Sequence, residues 1–151
     1  MADVAPRDLT TRLADTRARF ESDIDTWVAT ADAEGNPYQI PLSFLWDGSV
    51  FVVSTPGSSP TARNLMANGR ARLAFGHTRD VVLVEGSATS VGAEDLDPSL
   101  GEAFAAKTRF DPRELKTSYR YFMIRPHRIQ AWREAPELVG RDLMRDGEWL
   151  G

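Results

Sequence analysis

The sequence predicts a mainly β, α+β domain of barrel-like form, and three observations carry that expectation. Short segments rich in β-formers alternate apolar with polar residues, and turn signals such as Asp47-Gly48 and Asn68-Gly69 separate them. The connections are mostly brief, which favours antiparallel pairing, and an antiparallel sheet of this size usually closes into a barrel or sandwich. Helical periodicity is confined to a few stretches.

Leu9, Leu13 and Phe20 recur at roughly helical spacing behind Asp8, a suitable N-cap, and predict a first helix within residues 1–24. Thr26 to Ala31 reads as a strand, closed by the turn Asp32-Ala33-Glu34-Gly35-Asn36-Pro37. Tyr38 to Trp46 alternates cleanly. Tyr38, Ile40, Leu42, Phe44 and Trp46 are expected to face the core, and Gln39, Pro41 and Ser43 a polar face. A two-residue Asp47-Gly48 turn then leads into a strand over Ser49 to Thr55. After the loop Pro56-Gly57-Ser58-Ser59-Pro60, a short helix over Thr61 to Asn68 ends at Asn68-Gly69. Arg70 to Gly76 and Val81 to Val91 read as strands, Asp97 to Lys107 as a helix, and Asp111-Pro112 as a turn. Tyr119 to Arg125 and Arg128 to Arg133 read as two strands parted by Pro126, with a short helix and an arm over residues 135–151. The count is six or seven strands with short flanking helices, in one domain spanning residues 1–151.

Composition removes several function classes. The chain has 151 residues, 42% of them hydrophobic, and no repeat or linker-like composition shift, as expected of a single globular domain. With no cysteine and two distant histidines, His77 and His127, thiolate chemistry is excluded and no metal site is expected. A net charge of -4 gives no global attraction for nucleic acid or an anionic membrane. The amino terminus lacks the basic start and apolar run of a leader, so a cytoplasmic protein is expected. Ser58 and Ser59 do not form a nucleophile elbow, and Glu94-Asp95 and Glu134 with Glu137 are expected in turns or exposed segments as solvated charge rather than as a catalytic carboxylate pair.

One local asymmetry stands out against that background. Pro56 to Arg79 holds Arg63, Arg70, Arg72 and Arg79 and no acidic residue, in a chain with 22 Asp and Glu. Ser54, Thr55 and the Gly57-Ser58-Ser59 loop lead into a helix N-terminus, where free N–H groups, hydroxyls and a guanidinium make a phosphate cradle. The alternative is a solvated arginine face. No P-loop or Gly-x-Gly-x-x-Gly fingerprint is present. Trp132 shares a strand face with Arg128 and Gln130 and is expected to pack or to line a polar cleft.

The run from Trp27 to Phe44, WVATADAEGNPYQIPLSF, resembles the opening of the pyridoxamine 5'-phosphate oxidase-like family, a flavin and deazaflavin oxidoreductase group with a split β-barrel. The likeness continues through WDGSVFVVST from Trp46, SPTARNL from Ser59, GRARLAF from Gly69, DVVLVEG from Asp80 and IQAW from Ile129. The resemblance implies a homodimer with cofactor sites between subunits, holding FMN or the deazaflavin coenzyme F-420. It places Ser54, Thr55, Ser59, Thr61, Arg63 and Asn64 on the cofactor phosphate. Gln39, Ile40 and Pro41 would lie along the ring system, and Trp132 would approach from the partner subunit. Many relatives carry basic residues where this chain has Ser58-Ser59-Pro60-Thr61. Either Arg63 with Arg70 or Arg72 supplies the charge, or cofactor binding is weak or altered. The arginine-rich pattern of pyridoxamine phosphate oxidase itself is not evident, so vitamin-B6 chemistry is not expected.

The implied activity is hydride transfer between the bound cofactor and a small conjugated substrate, with Tyr38, Trp46, Tyr119 and Tyr121 as candidate substrate-side residues, most such aromatics being expected in the core, and no proton donor assigned. The alternative is a carrier or sensor that holds flavin, deazaflavin or haem without turnover.

Overall fold

The computed structural model describes residues 5–151; residues 1–4, on which the reading of the amino terminus partly rests, lie outside the described residues. The first helix, α1 (Leu9–Ser22), starts where Asp8 accepts a hydrogen bond from the Thr11 N–H at 2.8 Å. Then follow β1 (Asp25–Ala31), β2 (Pro37–Trp46), β3 (Phe51–Pro56), α2 (Pro60–Asn68), β4 (Arg70–His77) and β5 (Asp80–Gly92). The chain continues with α3 (Pro98–Thr108), β6 (Tyr119–Arg133), β7 (Asp142–Arg145) and β8 (Glu148–Trp149).

All pairings are antiparallel, in the order β3-β2-β1-β4-β5-β6-β7-β8, and β3 also pairs with β6, which closes the first six strands into a barrel. The barrel core is aromatic. Phe20 of α1 lies 4.8 Å from Phe51, 5.0 Å from Phe75 and 5.2 Å from Trp46 between ring centroids, so α1 seals the barrel with a buried ring. A second apolar cluster of Val50, Val52, Leu96, Phe104 and Tyr121 lies beneath α3. Among the described residues no helix is long and apolar enough to cross a membrane.

Four expectations need correction. The Asp47-Gly48 turn is a four-residue loop: Trp46 pairs with Phe51, Asp47 donates its N–H to the Val50 carbonyl, and its carboxylate accepts from the Ser49 and Val50 N–H groups. On β2 only Phe44 and Trp46 reach the core, because the first half of the strand pairs with β1 alone and overhangs, leaving Tyr38 exposed and Ile40 and Leu42 half-buried. Pro126 does not end a strand. β6 runs through it with His127 as an extra residue, a bulge in which Pro126 stands opposite Gly86. A Cβ at Gly86 would come 2.7 Å from the Arg125 carbonyl oxygen, so glycine permits the close crossing. Here β6 exchanges its neighbour β3 for β7. Finally, the carboxy-terminal arm is a one-turn 3-10 helix followed by the β7–β8 hairpin, whose Asp146-Gly147 turn is a hairpin signal.

Candidate functional site

β2 and β3 are hydrogen-bonded only over Phe44–Trp46 and Phe51–Val53. Beyond that point they diverge, β2 following β1 and β3 following β6. This fork is the split in the barrel, and both of its inner edges carry strand backbone without a strand partner among the described residues. Phe44 donates its N–H to the Ile24 carbonyl on the β1 side, so alternation turns the backbone groups of Gln39, Pro41 and Ser43 toward the fork. Gln39 offers both N–H and C=O there, Ser43 its N–H, and Pro41 a carbonyl alone. A proline on such an edge forfeits no ladder bond.

A cleft of about 330 Å³ occupies the fork, lined by Pro41, Leu42 and Ser43 on one side and Ser54, Thr55 and Pro56 on the other. Phe104 from α3, Phe110 and Tyr119 form an aromatic wall, with the Phe110 and Tyr119 rings edge to face at 5.6 Å. Asp25 is the cleft's carboxylate, and Ser43 donates its hydroxyl to it at 2.7 Å.

At the foot of the fork the hydroxyls of Thr55 and Ser59 lie 3.0 Å apart, and Ser59 caps α2 by accepting the Ala62 N–H at 3.1 Å. The cap leaves fewer free donors than the sequence suggests: the Arg63 N–H goes to the Ser59 carbonyl and Pro60 has none. Ser54 donates to the Arg120 carbonyl at 2.9 Å.

The structure therefore brings Pro41, Ser54, Thr55 and Ser59 together, with Gln39 and Ile40 farther along β2. Thr61 and Asn64 turn inward. The Asn64 amide donates to Thr30 Oγ1 at 3.0 Å, whereas Thr61 Oγ1 is fully buried with no partner among the described residues. Arg63 is exposed, with one Nη on the Ser58 carbonyl at 3.1 Å. Arg70 and Arg72 do not supply the loop's charge. Arg72 pairs with Glu85 at 2.9 Å, and Arg70 lies beyond the opposite end of α2, about 13 Å along the helix from Ser59. Arg79 pairs with Glu134 at 3.0 Å.

Trp132 is half-buried opposite Val81, eleven positions along β6 from Tyr121, or about 36 Å of strand. It is therefore not part of the fork within one chain. Of the four aromatics read as substrate-side, only Tyr119 lines the cleft; Trp46 and Tyr121 are core, and Tyr38 is exposed on the β2 overhang. The aromatic wall from α3 and Phe110 escaped sequence reasoning, and its signal was only the apolar face of a predicted helix.

A larger groove of about 450 Å³ lies on the outer sheet face, lined by Ala29, Ala31, Arg70, Arg72, Glu85 and His127 among others. It contains none of the cofactor-side residues expected from the sequence. Its charges are largely satisfied, through the Arg72–Glu85 pair and a 2.6 Å contact between Ser87 Oγ and His127 Nε2. The fork is the stronger site because its strand edges still need partners.

The family model for pyridoxamine 5'-phosphate oxidase matches residues 15–133, and the chain belongs to that family. No curated protein matches it. Among solved structures it is similar to an F-420 reductase, at 19% identity and a TM-score of 0.62, covering 75% of this chain and 94% of that one. HutZ, a heme storage protein from Vibrio cholerae, shares 17% identity at a TM-score of 0.62, covering 91% and 99%. A pyridoxamine 5'-phosphate oxidase-related, FMN-binding protein from Nostoc punctiforme shares 15% identity at a TM-score of 0.55, covering 80% and 82%. At these identities the likeness is one of fold.

The donor set fits a planar, phosphate-bearing cofactor. Strand edges offer alternating donors and acceptors to a heterocycle, the aromatic wall excludes water, and the hydroxyl pair with Arg63 suits an anion. The unmet Thr61 hydroxyl is a buried donor costing roughly 1–3 kcal/mol while it lacks an acceptor.

Proposed function

We propose that the protein is an oxidoreductase that holds FMN or the deazaflavin coenzyme F-420 in the fork between β2 and β3 and moves a hydride between it and a small conjugated substrate. The fork itself carries this reading: two strand edges unzip beyond Phe44 and Val53, and the Thr55–Ser59 hydroxyl pair stands at the end of the β3 edge. When bound, such a cofactor supplies the redox chemistry. The chain's own part is to bind and orient. Gln39, Ile40 and Pro41 run along the ring through backbone atoms, and Ser54, Thr55, Ser59 and Arg63 lie on the phosphate side, with Thr61 and Asn64 turned inward behind them. Phe104, Phe110 and Tyr119 keep the substrate side dry.

The proposed assembly is a cytoplasmic homodimer. Trp27 is 49% exposed on the outer sheet face, where the register sets it between Pro41 and Ala74, with Leu83 next across the sheet. An apolar row of this kind is suited to burial against a second copy. The partner subunit's Trp132 would then complete a fork that one chain leaves open.

A second reading, a carrier or sensor for flavin, deazaflavin or haem, draws support from the cleft's chemistry. Its titratable groups are Asp25 and Tyr119, with no histidine or lysine.

Titration of the purified protein with FMN and with F-420, followed by quenching of cofactor fluorescence, tests the proposal. Saturable binding of one of them near one per subunit is expected, with rapid reoxidation of the reduced form by an added acceptor. Binding without reoxidation supports the carrier, and binding of neither contradicts the proposal.

A further inference from the structure

The loop that would face the cofactor phosphate is poor in charge, with Ser58-Ser59-Pro60-Thr61 as its sequence and only Arg63 close by. A cation from elsewhere in the fold has its stem against the same loop. Arg120 of β6 is the register partner of Thr55, and partners across an antiparallel pair project on one face about 5 Å apart. Its stem lies against the loop: a Cβ on Gly57 would come 3.4 Å from Arg120 Cγ and 3.6 Å from Cδ, so glycine makes room for it. Gly57 is held there by donating its N–H to the Ser118 carbonyl at 3.0 Å.

Arg120 Nε donates to Ser90 Oγ at 2.6 Å, which fixes the orientation of the guanidinium. Its two Nη groups take no partner, and no carboxylate pairs with it, among the described residues. The side chain is half-buried. By contrast, Arg7, Arg19, Arg72, Arg79, Arg113, Arg128, Arg133 and Arg145 each have a carboxylate partner. A half-buried guanidinium, oriented by Ser90 but without a counter-ion, on the strand partner of Thr55 and with its stem against the loop that leads into α2, is suited to receive an anion.

We infer that Arg120, supplied by β6 rather than by the loop, is the principal phosphate-binding cation of the cleft and selects ligands that carry a phosphate on a tail. The inference rests on the cofactor reading for the ligand's identity, but the anion site stands on geometry of its own. The phosphate would accept from the free Nη groups of Arg120 and from the Thr55 and Ser59 hydroxyls. Neighbouring Arg63 adds charge at the exposed rim.

The test compares wild type, Arg120→Met and Arg120→Lys, after checking that near-ultraviolet circular dichroism and the unfolding midpoint are unchanged. Each is titrated with FMN and with riboflavin, or with F-420 and its chromophore without the phosphate-bearing tail. The stabilising effect of inorganic phosphate alone is measured by thermal shift. Arg120→Met is expected to lose about 10- to 100-fold in affinity for the phosphorylated ligand and little for its phosphate-free counterpart, with partial recovery in Arg120→Lys. Phosphate should stabilise wild type and not Arg120→Met. Equal FMN or F-420 affinity, or an equal phosphate effect, in wild type and Arg120→Met overturns the role of Arg120 and leaves the cofactor reading intact. If wild type binds no flavin or deazaflavin yet phosphate stabilises it through Arg120, the cofactor reading fails and the anion site stands.

Discussion

Replacing Glu137 with glutamine is expected to destabilise the protein by about 3–5 kcal/mol at neutral pH and to remove much of its acid sensitivity. Glu137 is 3% exposed, and its carboxylate accepts from Arg7 Nη2 at 2.7 Å, Arg7 Nε at 3.0 Å, the Arg7 N–H at 2.8 Å and the Arg133 N–H at 2.7 Å. Arg12, also buried, reinforces the link by donating from one Nη to the carbonyls of Ala131, Glu137 and Gly140. Together they fasten the segment after β6 to the start of α1. A glutamine keeps the shape but sets its own NH2 among these donors and leaves Arg7 without its nearest charge.

The Arg7 side chain, helped by the two backbone N–H groups, lowers the Glu137 pKa from 4.5 to about 2 against the opposing effect of burial. A group whose folded pKa is depressed stabilises fully above its unfolded value and loses that contribution as pH falls toward the folded one. Wild type should therefore lose roughly 3 kcal/mol from this group between about pH 4.5 and 2. Urea unfolding at pH 7, 4.5 and 3 checks both parts. Equal acid slopes in wild type and variant would show that the carboxylate is not held as described.

Phe20→Ala should cost a comparable 3–5 kcal/mol, a large share of the stability of a domain this size. The ring is fully buried and touches Trp46, Phe51 and Phe75, and α1 has no other large aromatic in the barrel. Its removal leaves a cavity among three rings that belong to different strands and cannot collapse together. Phe110→Ala, at the half-buried cleft wall, should cost clearly less. The two unfolding midpoints, measured in urea with near-ultraviolet circular dichroism, decide it. A loss below about 1.5 kcal/mol for Phe20→Ala would mean that α1 is not the seal of the barrel.

What the sequence revealed and concealed follows from the range of each interaction. Caps and short turns act within a few residues, so α1 behind its Asp8 cap was legible, α2 and α3 were placed to within a residue or so, and the β2–β3 hairpin was read. Pro126 misled because a local rule treats proline as a break, whereas Gly86, forty residues away, accepts the bulge that carries β6 through it. The in-out pattern of β2 failed in its first half because alternation does not show that a strand has lost one neighbour. Closure of the barrel by β3 and β6 is equally non-local, and with it the meeting of Thr55 and Arg120. The candidate site was therefore half visible. Ser54, Thr55 and Ser59 are contiguous enough to read as a cluster, while the inward turn of Thr61 and Asn64 and the pairing of Arg72 with Glu85 depend on packing.

The central claim, that the fork between β2 and β3 receives the cofactor, is tested most directly by amide hydrogen exchange with and without saturating FMN or F-420. Binding in the fork should protect the amides of Gln39 and Ser43, which face it, and those from Ser58 to Arg63, with little change at Ile40 and Leu42, which face β1. Protection at Ala29–Ala31 and Glu85–Ser87, with the fork unchanged, would place the ligand in the outer groove beside Arg70 and His127 and contradict the account.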